Sequence, residues 1–312
     1  MSLKLIESIS GIDLLEAPKA RGRLVAVLYN VFGDESYDED KQRVYAVAGI
    51  IGSELDWEPV IQDWTARTGG LIFHAKDCDT DRGDFAKFEH AQNKKLYKDL
   101  TAILADSRLM GYGCAISLED HDILFAPMMR NNGYYLCFRT VVLYMVQIGR
   151  TMIPRPTEIK FTFDHNEPIE VNAAKIYDFV VNMPGTDFGD YMSNEISFAV
   201  RRNPRIQMAD LVARETMKHF DNTFGPVKRI PRGSFLALQQ TKRFAFEWYN
   251  KEYFHEMKRQ AAEIAKAQGH STIFQEYDEW RAAHKNPNDT LEVRIRYVMS
   301  RLKNKPEENP FR

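Results

Sequence analysis

The order of apolar segments predicts an α/β domain built on a mixed sheet, with a long insertion and further helices toward the C-terminal end. Three observations lead there. Leu24 to Phe32 and Val44 to Ile51 are β-branched and aromatic and flank a short acidic stretch, the pattern of an antiparallel hairpin. After Leu109 the segments alternate between strand-like and helix-like periods, as in strands joined by crossover helices. From Phe235 onward the apolar residues fall at helical spacing, and no further strand is expected.

Each element has its own reason. The first strand, Leu24 to Phe32, ends at Gly33, and the second is Val44 to Ile51. Between Ser53 and Thr68, Leu55, Val60, Ile61 and Trp64 recur near helical spacing, with Ser53 as N-cap and Gly69-Gly70 as the stop. A short strand is expected at Leu71 to His74. Lys94 to Leu104 repeats the helical period, and Leu109 to Ser117 reads as a third long strand. Tyr134 to Ile148 reads as a largely buried helix. Glu158 to Phe163 alternates cleanly and stops at Asp164, Ile169 to Val181 is helical, and Glu195 to Val200 is strand-like. Pro204 opens a helix from about Ile206 to Phe220, because proline suits a first helical turn. Lys242 to Lys266 and Thr290 to Leu302 are the expected C-terminal helices.

Composition bounds the function. The 312 residues carry a net charge of −2 and are 44% hydrophobic, ordinary for a globular protein and unlike a disordered or polybasic chain. Cys78, Cys114 and Cys137 are scattered, which argues against a disulfide framework or a zinc ribbon and for a reducing compartment. The longest apolar run, Val141 to Ile148, falls far short of the ~20 residues a membrane span needs. The N-terminal stretch, with Glu7, Asp13 and Glu16, does not resemble a signal peptide. A cytoplasmic protein without membrane contact is expected. Phosphate-loop, dinucleotide, esterase and zinc-protease motifs do not occur.

Three acids stand out by position. Asp34 and Glu35 follow the first expected strand, and Asp164 follows the strand from Glu158. If those strands are parallel neighbours ~4.8 Å apart, both carboxylates meet at one sheet edge. Asp210 lies in Gln207-Met208-Ala209-Asp210-Leu211-Val212, where the apolar residues define one helix face and leave Gln207 and Asp210 on another. Grouped carboxylates suit Mg²⁺ or Mn²⁺, hard cations that activate water and stabilise the leaving oxygen in phosphodiester cleavage. Taken singly, each acid also fits an ordinary role. Residues 34–40 hold five acids in seven positions and read as a solvated turn, Asp164 could cap a helix, and Asp210 could pair with Arg214.

The same residues resemble a known family. Phe32-Gly33-Asp34-Glu35-Ser36, Phe161-Thr162-Phe163-Asp164 and Ile206-Gln207-Met208-Ala209-Asp210-Leu211-Val212-Ala213 are similar to motifs of the bacterial proteins grouped as domain of unknown function 3800, relatives of the ribonuclease H-like fold. Phe73-His74-Ala75-Lys76-Asp77 resembles a further motif. The resemblance covers about residues 24 to 220. It implies a ribonuclease H-like sheet of five strands, the first three antiparallel and the rest parallel to the first, with Asp34, Asp164 and Asp210 as metal-binding acids. Residues 1–23 would then be an N-terminal extension, about 53–107 an insertion, and 221–312 a helical C-terminal extension.

Other constellations bear on substrate. Ala199 to Arg243 holds ten Lys and Arg against three acids, a basic stretch suited to a phosphate backbone. Arg201, Arg202 and Arg205, just before the Asp210 helix, are the candidate contacts, with Gln207 beside them; Phe220, Phe224, Phe235 and Phe244 read as core. His74 and Lys76 could border the acids as proton shuttle and phosphate contact. Asp77, Asp79 and Asp81 miss calcium-loop spacing by one residue, because Gly83 and Glu89 each fall one place late. The expected function is a Mg²⁺- or Mn²⁺-dependent nuclease acting on RNA or DNA, with Glu35 assisting as ligand or base. The rival is a non-catalytic interaction or regulatory module on the same scaffold. The C-terminal helices could serve a homo-oligomer.

Overall fold

A six-stranded mixed sheet forms the centre of the chain, in the order β5-β4-β1-β2-β3-β6. The computed structural model describes residues 28–38, 43–120, 133–152, 158–183 and 186–267. β1 (Leu28–Tyr37) pairs antiparallel with β2 (Val44–Ser53), and β2 antiparallel with β3 (Met110–Ser117). On the other side β1 pairs parallel with β4 (Glu158–Asp164), and β4 with β5 (Ser197–Ala199). These five strands have the directions expected. The sixth, β6 (Phe244–Tyr249), adds parallel to β3 and corrects the five-strand expectation.

That correction has a local cause. Within Phe244-Ala245-Phe246-Glu247-Trp248-Tyr249 the aromatic residues recur at period two, which suits a strand. Lys242, at φ +58°, breaks the chain away from the preceding helix. The expected helix from Lys242 to Lys266 is therefore β6 followed by a shorter helix over Lys251–Ala267. The expected strand at Leu71 to His74 is also absent. Phe73 donates its backbone N–H to Gln207 Oε1 at 3.1 Å, in place of a ladder bond. The expected helix at Thr290 to Leu302 and the N-terminal extension lie outside the described residues.

Helices cover both faces. α1 (Glu54–Thr68), α2 (Ala75–Asp79) and α3 (His90–Asp106) form the insertion between β2 and β3. Ser53 and Asp56 make a capping box at the start of α1, and Gly69, at φ +62°, ends it. α4 (Gly133–Met152) and α5 (Glu167–Val181) pack on one sheet face, where Val31, Val47, Cys114, Phe161 and Phe163 are buried. α6 (Pro204–Phe224) joins α1 and α3 on the other face, against Phe32, Ala48 and Ile50. Adjacent residues such as Val31 and Phe32 point to opposite faces, as the pleat requires. α6 approaches β3 so closely that a side chain on Gly113 would collide with Thr216.

The segment after residue 220 is part of this body. α6 runs on to Phe224, α7 (Gly233–Gln240) buries Phe235 and Leu238, and β6 completes the sheet. The next helix, α8 (Lys251–Ala267), buries Phe254 in the core. No helix among the described residues is long and apolar enough to cross a membrane.

A candidate carboxylate active site

The strand ends and α6 bring three acids together. Gly33 is level with Phe163 in the β1–β4 ladder, so the next residues, Asp34 and Asp164, stand side by side. Asp34 shares its face with Phe32, the face that α6 covers, and α6 carries Asp210. β1 continues to Tyr37, so Asp34 lies inside the strand and not after it. Alternation then turns Glu35 toward the opposite face, where its Oε1 accepts a hydrogen bond from Asn166 Nδ2 at 2.6 Å. Asp34 and Glu35 do not converge as two acids on a turn could have done.

Asp34 is the most constrained of the group. It is 1% exposed; its Oδ1 accepts from the Glu35 N–H at 2.7 Å, and its buried Oδ2 has no hydrogen-bond partner. Burial, and then the charges of Asp210, Glu35 and Asp164, hold its pKa well above the ordinary carboxylate value, with Arg201 opposing. Asp164 is also raised, first by burial, with Arg201 and the His165 N–H pulling the other way. Asp210 is buried and accepts the Ala75 N–H at 2.7 Å through Oδ2.

One cation serves these acids. Arg201 Nη2 donates to Asp164 Oδ2 at 3.0 Å and lies 4.0 Å from Asp34 Oδ2. Burial alone would lower its pKa, but Asp210, Asp34, Asp164 and Glu35 together raise it. Arg201 therefore belongs inside the acidic site, and not only on a basic approach to it. Among the described residues no three His, Cys, Asp or Glu side chains stand as a ready metal-binding group. The donor chemistry nevertheless fits a hard divalent ion: the oxygens are carboxylate, and Asp34 Oδ2 is an orphaned, buried acceptor.

The expected substrate contacts divide. His74 and Lys76 border the site, because Ala75 between them is bonded to Asp210. His74 Nδ1 is 2.7 Å from Asp77 Oδ2, and Lys76 Nζ lies 6.0 Å from the centre of the Tyr37 ring. Arg202 is exposed. Arg205 pairs with Glu54 and lies 5.1 Å from the Phe32 ring centre, so it closes the core edge. Gln207 is a correction. Its Oε1 accepts from Trp64 Nε1 at 3.0 Å and from the Phe73 N–H, while Nε2 donates to the Arg201 carbonyl at 3.1 Å and the Arg202 carbonyl at 3.5 Å. That uses all four of its hydrogen-bonding positions and makes it a brace. Phe220, Phe235 and Phe244 are core, as expected; Phe224 is a correction, being exposed near the end of α6.

A second charged network ties the insertion to α6 and α7. Arg214 does not pair with Asp210 but reaches Asp79 Oδ2 at 2.9 Å; Arg232 bonds both Asp79 oxygens and lies 3.2 Å from Glu215 Oε1. Tyr97 and Ser234 each donate to Glu215 at 2.7 Å. The acids of the near-miss calcium loop are thus committed otherwise, with Asp81 held by His90 and by Asn93 Nδ2. The sequence marks Asp79 as part of an acidic loop and Arg214 as a helical residue, and neither pattern reveals that the two are partners.

The sequence matches no protein-family model and no curated protein. Solved structures that resemble it include a chain of the PCNA:RNase HII complex from Archaeoglobus fulgidus, at 13% identity and TM-score 0.37, covering 68% of this chain and 85% of that one. Bst-RNase HIII in complex with Mn²⁺ is 12% identical with TM-score 0.37, over 70% and 66% of the two chains. The ribonuclease H2 of Pyrococcus horikoshii OT3 is 10% identical with TM-score 0.35, over 89% and 100%.

Proposed function

We propose that this chain is a member of the domain of unknown function 3800 family with a ribonuclease H-like fold, and a divalent-metal-dependent phosphodiesterase acting on nucleic acid. The observation that carries the reading is Asp34, a buried carboxylate with an orphaned oxygen, set beside Asp164 and near Asp210 with one arginine among them. Burying several like charges is costly unless a cation accompanies them, and a site that exchanges its cation has a chemical use for the arrangement.

Asp34, Asp164 and Asp210 would hold Mg²⁺ or Mn²⁺. Such an ion, when bound, supplies water activation and neutralises charge on the phosphate. The rest falls to the chain's own residues. Asp210, tied to the Ala75 N–H, keeps the His74–Lys76 segment beside the acids and so sets Lys76 to meet a phosphate and His74 to move a proton. Glu35, fixed by Asn166 on the opposite face, adds negative field and not a ligand atom. Arg201, once released from Asp164, is positioned to pair with a phosphate oxygen.

One observation favours the rival reading of a non-catalytic module: Arg201 itself partly neutralises Asp164 and Asp34. Calorimetric titration of Mn²⁺ into the wild type, Asp34→Asn and Asp164→Asn distinguishes the two. Saturable binding lost in both variants, followed by metal-dependent cleavage in a screen of RNA, DNA and hybrid substrates, is the expected result. Absent binding, or binding indifferent to both substitutions, would overturn the proposal.

A further inference from the structure

α6 carries Asp210, Arg214, Lys218 and Asn222 at four-residue intervals, a single stripe along the helix. Asp210 stands among the carboxylates. Lys218, two turns further on and roughly 12 Å along the axis, reaches a cleft of about 920 Å³ walled by α2, α3, α6, α7 and the chain between α6 and α7.

The cleft is unequally charged. Arg232 lines it but is committed to Asp79 and Glu215, and Arg214 behind it is committed to Asp79. Lys94, Lys98, Lys218 and Arg229 line it too, and among the described residues their side chains make no hydrogen bond or ion pair. Asp79 is the one acid in the wall, and two arginines already answer it. Lys218 is half-buried, and its pKa is held below the ordinary lysine value first by burial and then by Arg214, with Asp79 and Asp221 opposing. The group this cleft lacks is an anion.

Its apolar wall narrows the choice. Ile230, 87% exposed, lines the same cleft as Pro231 and the lysines of α3. A lone phosphate would leave that surface unused, whereas a sugar and base attached to the phosphate would cover it. The volume is within the ~300–1,000 Å³ of small-ligand sites.

We propose that the cleft is a phosphate-binding subsite for one nucleotide unit of a nucleic-acid strand, its phosphate on Lys218 and Lys98 and its sugar or base against Ile230 and Pro231. Only the register of cleavage relative to the seated phosphate rests on the carboxylate reading. The subsite also explains why four cations crowd a cleft with no free acid in it.

The test is binding, in EDTA, of a labelled single strand about a dozen nucleotides long, by anisotropy across a salt series. Lys218→Ala, and separately Lys94→Ala with Lys98→Ala on the exposed face of α3, should each weaken binding about tenfold. The double substitution should flatten the dependence of log K on log salt by ~0.7, the share of the one phosphate contact it removes. Wild-type affinity and slope in both variants would overturn the proposal. Stabilisation of the wild type but not the variants by a free nucleoside 5′-monophosphate, with strand affinity unchanged, would overturn it in favour of a free nucleotide. Failure of the nuclease reading would appear elsewhere, as Mn²⁺ binding indifferent to Asp34→Asn, and would leave the strand-binding result standing.

Discussion

Arg201 donates to Asp164 at 3.0 Å while lying 4.0 Å from Asp34, so one guanidinium answers two carboxylates from neighbouring parallel strands. Asp210 and Glu35 add to the same negative field. A single positive charge cannot neutralise that group, although the guanidinium, which keeps its proton, offsets part of it. The remaining imbalance falls on Asp34, which is buried, lacks a hydrogen bond at Oδ2 and is pushed toward its protonated form. An incoming divalent ion and Arg201 therefore compete for the same oxygens.

That competition makes Arg201→Ala informative. Removing a unit charge ~4 Å from the carboxylates changes a cation's energy there by on the order of 1–4 kcal/mol, depending on solvent access. Mn²⁺ affinity should rise by about tenfold or more in calorimetry. The guanidinium is over a third exposed, so the metal-free protein should lose only about 1 kcal/mol of stability. A fall in Mn²⁺ affinity would show that Arg201 supports the ion and does not compete with it.

Asp34→Asn should alter the pH dependence of stability in a defined direction. The folded pKa of Asp34 is raised above the unfolded value of about 4. Its contribution to folding is therefore fully present below pH ~4 and is lost as pH rises through the folded value. In EDTA, Asp34→Asn should match the wild type near pH 4 and become the more stable protein toward neutrality. The difference should be on the order of 2 kcal/mol, the cost of a buried unsatisfied acceptor. Saturating Mn²⁺ should reverse the order by stabilising the wild type alone. Melting temperatures across pH 4 to 8 provide the check, and a gap that does not widen with pH would remove Asp34 as its source.

How much was legible in the sequence follows from which interactions are local. Strand-end Asp164 and the Asp210 helix could be read from alternation and helical period, since both features live within a few residues. Glu35 could not be placed, because its direction depends on β1 continuing through Tyr37, and that continuation is set by pairing with β2 up to Tyr37–Tyr45. β6 was hidden by a helical reading of aromatic residues whose strand partner, β3, lies more than a hundred residues earlier. By sequence Gln207 reads as a substrate contact beside Arg201, Arg202 and Arg205. Its role as a brace depends on Trp64 and Phe73, which only the folded insertion brings to it. The Asp79 clamp is a longer-range case still, with arginines 135 and 153 residues away.

The clamp itself can be broken. Arg232 and Arg214, in bonding Asp79, lower its pKa although burial alone would raise it. Arg214 is only 3% exposed, so Asp79→Ala strands a buried guanidinium without its main partner. A loss of about 3 kcal/mol is expected in denaturant unfolding. A loss below about 1 kcal/mol would mean that water or another acid replaces Asp79.

Gly113 links the packing of α6 to the carboxylates. A side chain there would overlap Thr216, whose hydroxyl donates to the Val212 carbonyl one turn back along the same helix. Gly113→Ala must therefore push α6 off β3, and overpacking of this kind costs about 1–3 kcal/mol. The same displacement draws Asp210 away from the Ala75 N–H, so Mn²⁺ affinity should fall with stability. Thr216→Ala clears the contact, and Gly113→Ala with Thr216→Ala should recover both properties beyond what the two single changes would sum to, a coupling of about 1 kcal/mol or more. If the double variant shows simple additivity, the close approach of α6 at Gly113 is not what sets Asp210 against Asp34 and Asp164.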